Sequence, residues 1–159
     1  MDLFFYGTLL DADVRRLVLG AEAGSIALAP ARLPGYRRMA KLRSSAPVLV
    51  ARPGAVTDGL LARGLTASQL ARLSHYEGAQ YRLWPCRVRG EDGAALSALV
   101  YLGRGRIPVR RAPWRLAAWQ RRHKRGFLRV MALWIAAYRE AAYRPPGLGR
   151  GIKRWAARG

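Results

Sequence analysis

The chain opens on a short apolar run, Leu3 to Tyr6, stopped by Gly7-Thr8, which predicts a buried strand entering a tight turn. A short helix is expected next: Asp11 is placed to cap it, Val14, Leu17 and Val18 recur at helical spacing, and Gly20 is its C-terminal stop. Four segments punctuated by Pro and Gly follow, Ile26 to Leu33, Tyr36 to Leu42, Pro47 to Arg52 and Val56 to Leu65. They read as short strands, with turn or bulge chemistry at Pro53-Gly54 and Thr57-Asp58-Gly59, in a barrel or a strongly curved sheet. Thr66-Ala67-Ser68-Gln69 has the Thr-x-x-Gln form of a capping box and predicts a second helix, with Leu70 and Leu73 on its core face. That helix is expected to end near Glu77, because Gly78 can take the left-handed conformation that closes a helix. Tyr81 to Arg89 and Ala95 to Leu102 predict an antiparallel hairpin around Gly90-Glu91-Asp92-Gly93, with Leu96, Ala98, Val100 and Leu102 on one face.

The pattern changes at Pro108. Leu116, Trp119, Phe127, Val130, Met131, Trp134, Ile135 and Tyr138 recur at steps of three and four, with one wider step across His123. An amphipathic helix is expected from Pro113 to about Tyr143, with Gly126 as the candidate break. Arg115, Arg121, Arg122, Lys124, Arg125 and Arg129 occupy its opposite face, and the Gly-Pro-Arg-rich run Arg144 to Gly159 is expected to be loosely ordered. No internal repeat is present.

With 159 residues, 51% of them apolar, the chain can bury a real core, and one compact domain with an appendage is the expectation. The charge is lopsided. Twenty-nine basic side chains face 9 acidic ones, for a formal charge of +20, and residues 104–159 hold 16 of the basic and only 1 of the acidic groups. Arg outnumbers Lys by 26 to 3, a bias that base composition of the coding DNA explains as readily as selection for an anionic partner. The single Cys86 excludes an intramolecular disulfide and a Cys-based zinc site, and the two His residues have no metal spacing, so no metal or cofactor is expected. The sequence begins Met1-Asp2 with no basic leader or cleavage site, and the longest apolar stretch, Phe127 to Tyr138, is about half of a membrane span. A reducing, cytoplasmic location is expected.

Two stretches carry candidate chemistry. In Phe5-Tyr6-Gly7-Thr8-Leu9 a buried strand turns sharply into a helix, which aims several backbone N–H groups into one concave space able to hold a carboxylate or an amide oxygen. In Tyr76-Glu77-Gly78-Ala79-Gln80-Tyr81 the acid lies in the last turn of its helix, where the negative end of the dipole disfavours a carboxylate. Partial burial there raises its pKa and suits a proton carrier. Taken singly, each stretch also fits a purely structural role. His75, beside this acid, is read as a helix-end side chain turned to solvent.

Together the two stretches resemble the γ-glutamylcyclotransferase-like (AIG2-like) family, whose members begin with Tyr-Gly-Thr-Leu or Tyr-Gly-Ser-Leu and later show Leu-Asp-x-Tyr-Glu-Gly-x-x-Tyr. The matching residues are Tyr6-Gly7-Thr8-Leu9 and Leu73-Ser74-His75-Tyr76-Glu77-Gly78-Ala79-Gln80-Tyr81. The intervening Leu33-Pro34-Gly35-Tyr36, Pro47 and the later Ala98-Leu99-Val100-Tyr101 are similar too, so the resemblance spans roughly residues 2–103. It departs at Ser74, where the family has Asp.

What the resemblance implies is an α+β fold, a small mixed β-barrel with flanking short helices over residues 1–106; residues 107–159 fall outside the resemblance and read, from their own pattern, as a basic helical extension. Family enzymes release 5-oxoproline from γ-glutamyl amides. Carried over, Glu77 is the general acid/base, Tyr6 and the backbone of Gly7, Thr8 and Leu9 hold the γ-glutamyl head group, and Tyr81 lines the cavity. The competing class is a non-catalytic barrel that binds a small acidic ligand, or that presents the basic helix to a membrane surface or nucleic acid. For the extension, the expectation is a helix docked on the barrel with its arginines solvated.

Overall fold

The computed structural model describes residues 1–138. Along them lie β1 (Leu3–Phe5), α1 (Ala12–Leu19), β2 (Ala27–Lys41), β3 (Pro47–Arg63), α2 (Ala67–Glu77), β4 (Tyr81–Gly90), β5 (Ala95–Gly103), β6 (Val109–Pro113), α3 (Leu116–Arg122) and α4 (Lys124–Ala136). Short stretches of 3-10 helix, Thr8–Leu10 and Gly20–Ser25, flank α1. Strands β3, β1, β5, β4 and β2 pair in that order and β2 pairs back onto β3, which closes a five-stranded barrel; β6 adds to β2. Every pairing is antiparallel except β1 with β5, where Leu3 lies beside Leu99. This is the expected α+β mixed barrel with flanking helices.

Period-two alternation gives the barrel two apolar faces. Phe4, Tyr6, Ala31, Leu33, Leu49, Leu61, Val88, Ala98 and Val100, drawn from all five barrel strands, fill its interior. The alternate residues Leu3, Phe5, Val48, Ala62, Leu99 and Tyr101 face outward and are covered by Val14 and Val18 of α1, Leu70 and Leu73 of α2, and Trp119 of α3. Burying a side chain the size of Phe4 or Phe5 stabilises the fold by about 1.5–3 kcal/mol. Gly59 makes one of the close approaches possible, because a Cβ there would lie 2.3 Å from the Phe5 carbonyl oxygen and 2.5 Å from the Phe4 ring.

Several local expectations give way to long-range pairing. The four segments expected between Ile26 and Leu65 merge into two long strands, β2 running through Pro34-Gly35 and β3 through Pro53-Gly54. Pro34 pairs with Val56 and Tyr36 with Ala51, so two steps along β2 match five along β3, and the surplus bulges out around Gly54 at φ +76°. Thr57-Asp58-Gly59 is no turn: it lies within β3, opposite Leu33, Arg32 and Ala31. Strand β6 stands where the sequence pattern shows only a change of character, with Val109 opposite Lys41 and Pro113 opposite Met39. The helical segment breaks at His123, not at Gly126. Trp114 and Trp119 are buried in the same outer core as β1 and α2, and no described helix is long and apolar enough to cross a membrane.

Candidate active site

The acid is placed by helix α2, and the capping box sets where that helix starts. Thr66 Oγ1 accepts from the Gln69 N–H at 3.1 Å and Gln69 Oε1 accepts from the Thr66 N–H at 2.9 Å. From that start, Leu70, Leu73 and Tyr76 fall on the buried face, and Glu77 comes last, turned toward the barrel mouth. Gly78 at φ +75° stops the helix, its N–H bonding the Ser74 carbonyl at 3.1 Å, and Tyr81 then opens β4.

The second stretch arrives on β1. Tyr6 is held by its hydroxyl, which donates to the Tyr101 carbonyl at 2.9 Å, while Arg38 donates to the Tyr6 carbonyl at 2.8 Å. The chain then turns through Thr8–Leu10. That turn's own bonds run from the N–H groups of Leu10 and Asp11 to Gly7 and Thr8, and so do not use the amides of Thr8 and Leu9. Asp11 caps α1 by accepting from the N–H groups of Asp13 and Val14. At Gly7 an added Cβ would press on the Pro47 ring at 3.1 Å. One buried bond joins the two stretches directly: Thr8 Oγ1 and the Tyr76 hydroxyl are 2.6 Å apart across 68 residues of sequence.

Tyr6, Gly7, Thr8, Leu9, Glu77 and Tyr81 all border one cavity of about 150 Å³. Among its described lining residues Glu77 is the only carboxylate. No hydrogen bond within the described residues holds that carboxylate. Burial disfavours its charged form and pushes its pKa up from 4.5 to about 7, against the opposing pull of the Lys41 ammonium. Tyr81 is buried beside the same acid, so its phenol pKa is raised, first by desolvation and then by the Glu77 charge. The hydroxyls of Tyr6 and Tyr76 are raised for the same reasons.

Lys41 is the site residue that the sequence pattern does not single out. It projects from the end of β2 into the cavity, with its Nζ 3.2 Å from the Tyr81 hydroxyl and 3.4 Å from Gln80 Oε1. Burial lowers its pKa, and the Glu77 charge acts in the other direction. One compositional signal points to it: in a chain with 26 arginines, a lysine kept within a strand is an exception. Ser74 makes its own buried bond, Oγ to the Tyr101 hydroxyl at 2.6 Å. His75 does not border the cavity and is not turned to bulk solvent; its ring stacks on Trp134 of α4 at 4.8 Å and its Nε2 lies 3.0 Å from the Trp134 carbonyl. Among the described residues, the basic extension reaches the site only through apolar side chains, Phe127 and Met131 of α4.

Known proteins carry the same arrangement of chain. AIG2-like protein A of Arabidopsis thaliana is 26% identical over 129 residues, covering 80% of this chain and 76% of the relative. An Arabidopsis thaliana protein known from a solution structure superposes with a TM-score of 0.60 at 24% identity, over 82% of this chain and 87% of that one. A gamma-glutamyl cyclotransferase superposes with a TM-score of 0.59 at 16% identity, over 99% of this chain and 98% of that one. At these identities the structural likeness is one of fold. The family model for gamma-glutamyl cyclotransferase, AIG2-like, matches residues 3–121, a stretch that includes both site stretches, β6 and most of α3. On that match the chain belongs to the gamma-glutamyl cyclotransferase, AIG2-like family.

Proposed function

We propose that the protein converts a γ-glutamyl amine or γ-glutamyl amino acid into 5-oxoproline and the free amine, with Glu77 as the proton carrier. The supporting observation is a lone carboxyl, poised near pH 7, on the wall of the cavity that the Tyr6–Leu9 turn also borders. In the first step the Glu77 carboxylate takes a proton from the substrate's α-ammonium. The freed amine attacks the γ-carbonyl carbon and a new C–N bond closes the five-membered ring; the original amide C–N bond breaks as Glu77 returns its proton to the leaving nitrogen, and the second proton of the ring nitrogen departs with the released amine, which leaves as its ammonium. Atoms balance without water or a cofactor. Because nucleophile and electrophile belong to one molecule, the protein has only to position, deprotonate and polarise.

Each neighbour has a role in this reading. The backbone amides at Gly7, Thr8 and Leu9 hold the head group and stabilise the charge that develops on the carbonyl oxygen. Tyr6 and Tyr81 bound the pocket. Lys41 supplies the cation for the α-carboxylate, which sits on the same carbon as the ammonium that Glu77 deprotonates, and it keeps Glu77 from rising further. The deciding assay is release of 5-oxoproline from a panel of γ-glutamyl amides, with and without a carboxylate on the leaving amine. Turnover of at least one, lost in Glu77→Gln with folding retained, is expected. Full rate in that variant removes Glu77 from the chemistry, and binding without turnover across the panel supports the non-catalytic barrel instead.

A further inference from the structure

A second and larger concavity, of about 620 Å³, opens between the β2–β3 turn, β6 and α3. Its frame is rigid. The Leu42 N–H donates to the Pro108 carbonyl at 3.0 Å and the Trp114 N–H to the Arg38 carbonyl at 3.3 Å, which ties β6 to β2. The indole N–H groups of two buried tryptophans converge on Ser45, that of Trp114 on its carbonyl at 2.8 Å and that of Trp119 on its hydroxyl at 3.4 Å.

Four arginines stand on this frame, Arg43 from the turn, Arg110 from β6, and Arg115 and Arg122 from either end of α3, with His123 beside them. Among the described residues no Asp or Glu borders the cleft. Arg110 is steadied by donating to the Leu42 carbonyl at 3.1 Å, and among the described residues Arg43, Arg115 and Arg122 have no side-chain hydrogen bond or ion pair. The acids that are paired lie elsewhere, Asp11 and Asp13 with Lys124 and Asp58 with Arg32. An arginine-rich composition spreads guanidinium groups over a surface, but four gather around this one hollow, and from Gly93 to Arg139 the sequence contains no acid.

We propose that this cleft binds a small ligand carrying two or more phosphoryl groups. Planar guanidinium forks match phosphoryl oxygens two at a time, and four of them supply the charge that a polyphosphate needs on leaving water. The volume lies in the range of small-molecule sites. The cyclotransferase reading and this one stand apart, since none of the four arginines borders the Glu77 cavity.

The test is calorimetric titration of the full-length chain with inorganic tripolyphosphate at two salt concentrations. One-to-one binding is expected. Replacing Arg43, Arg110, Arg115 and Arg122 together by Gln weakens it by about tenfold or more, since every charge-assisted hydrogen bond to a phosphoryl oxygen contributes substantially. Replacing Arg52, Arg63, Arg87 and Arg89, exposed arginines away from the cleft, removes the same charge and changes binding by no more than about threefold. Thermal melts check folding, and the pair Arg43→Gln/Arg115→Gln serves where the fourfold variant does not fold. Equal weakening in the two fourfold variants, or binding with no fixed stoichiometry, overturns the site in favour of diffuse charge. A single-stranded oligonucleotide that binds through the four arginines while tripolyphosphate does not overturns the small ligand.

Discussion

Glu77 carries two separable consequences of the same desolvation. As a general base it has to be ionised, so kcat/KM is expected to fall on the acid side with an apparent pKa near 7, measured on whichever γ-glutamyl amide turns over. Replacing Lys41 by Met removes the cation that holds this pKa down; the acid limb then moves to higher pH and KM rises. A limb that stays in place separates Lys41 from the acid. Stability gives the second readout. The folded-state pKa lies above the unfolded one, so the neutral acid costs nothing below about pH 4.5, and stability is lost as the pH rises from there through 7. Glu77→Gln abolishes that loss. The variant is expected to be more stable than the parent by on the order of 3 kcal/mol at pH 8 and nearly the same near pH 4.5, read from urea melts. Identical pH dependence of the two proteins contradicts a desolvated acid. At Cys86 the same desolvation pushes the thiol up to about 12 and leaves it a poor nucleophile.

Helix α2 is the element on which the candidate chemistry depends, and its two ends can be tested independently. Thr66→Ala removes half of the capping box and is expected to cost about 1 kcal/mol of stability. Gly78→Ala keeps open space around the new methyl but forces a left-handed backbone on alanine, at about 1–2 kcal/mol, at the residue next to Glu77. It is therefore expected to lower kcat, which Thr66→Ala, at the far end of the helix, does not. Both ends of this helix were legible in the sequence because caps are local chemistry. The long strands were not. Pro34-Gly35 and Pro53-Gly54 are breakers to a local reading, but the strands carry through them because β2 and β3 stay paired on both sides of the bulge. Strand β6 was illegible for a related reason: Val109 to Pro113 is exposed throughout, with no alternation to announce it, and exists by pairing with β2. Lys41 was hidden likewise, since only closure of the barrel brings the end of β2 opposite α2.

Taken as a whole, the molecule packs across the point where its composition changes. The charge changes character at residue 104, yet Trp119 beyond it is 2% exposed and packs edge-on against Phe127, whose ring borders the Glu77 cavity. Trp119→Ala is expected to destabilise the entire fold by about 3–5 kcal/mol, with barrel and α3 melting in one transition followed by near- and far-ultraviolet circular dichroism. Two transitions would show the basic segment to be a separate unit. The lone parallel pairing, finally, bears on how the protein is made. Strand β1 is inserted between β3 and β5, with Leu3 against both Ala62 and Leu99. Strand β1 therefore completes its pairing only once segments about sixty and about a hundred positions further along the chain have been synthesised, and the Tyr6–Leu9 turn that follows it depends on both.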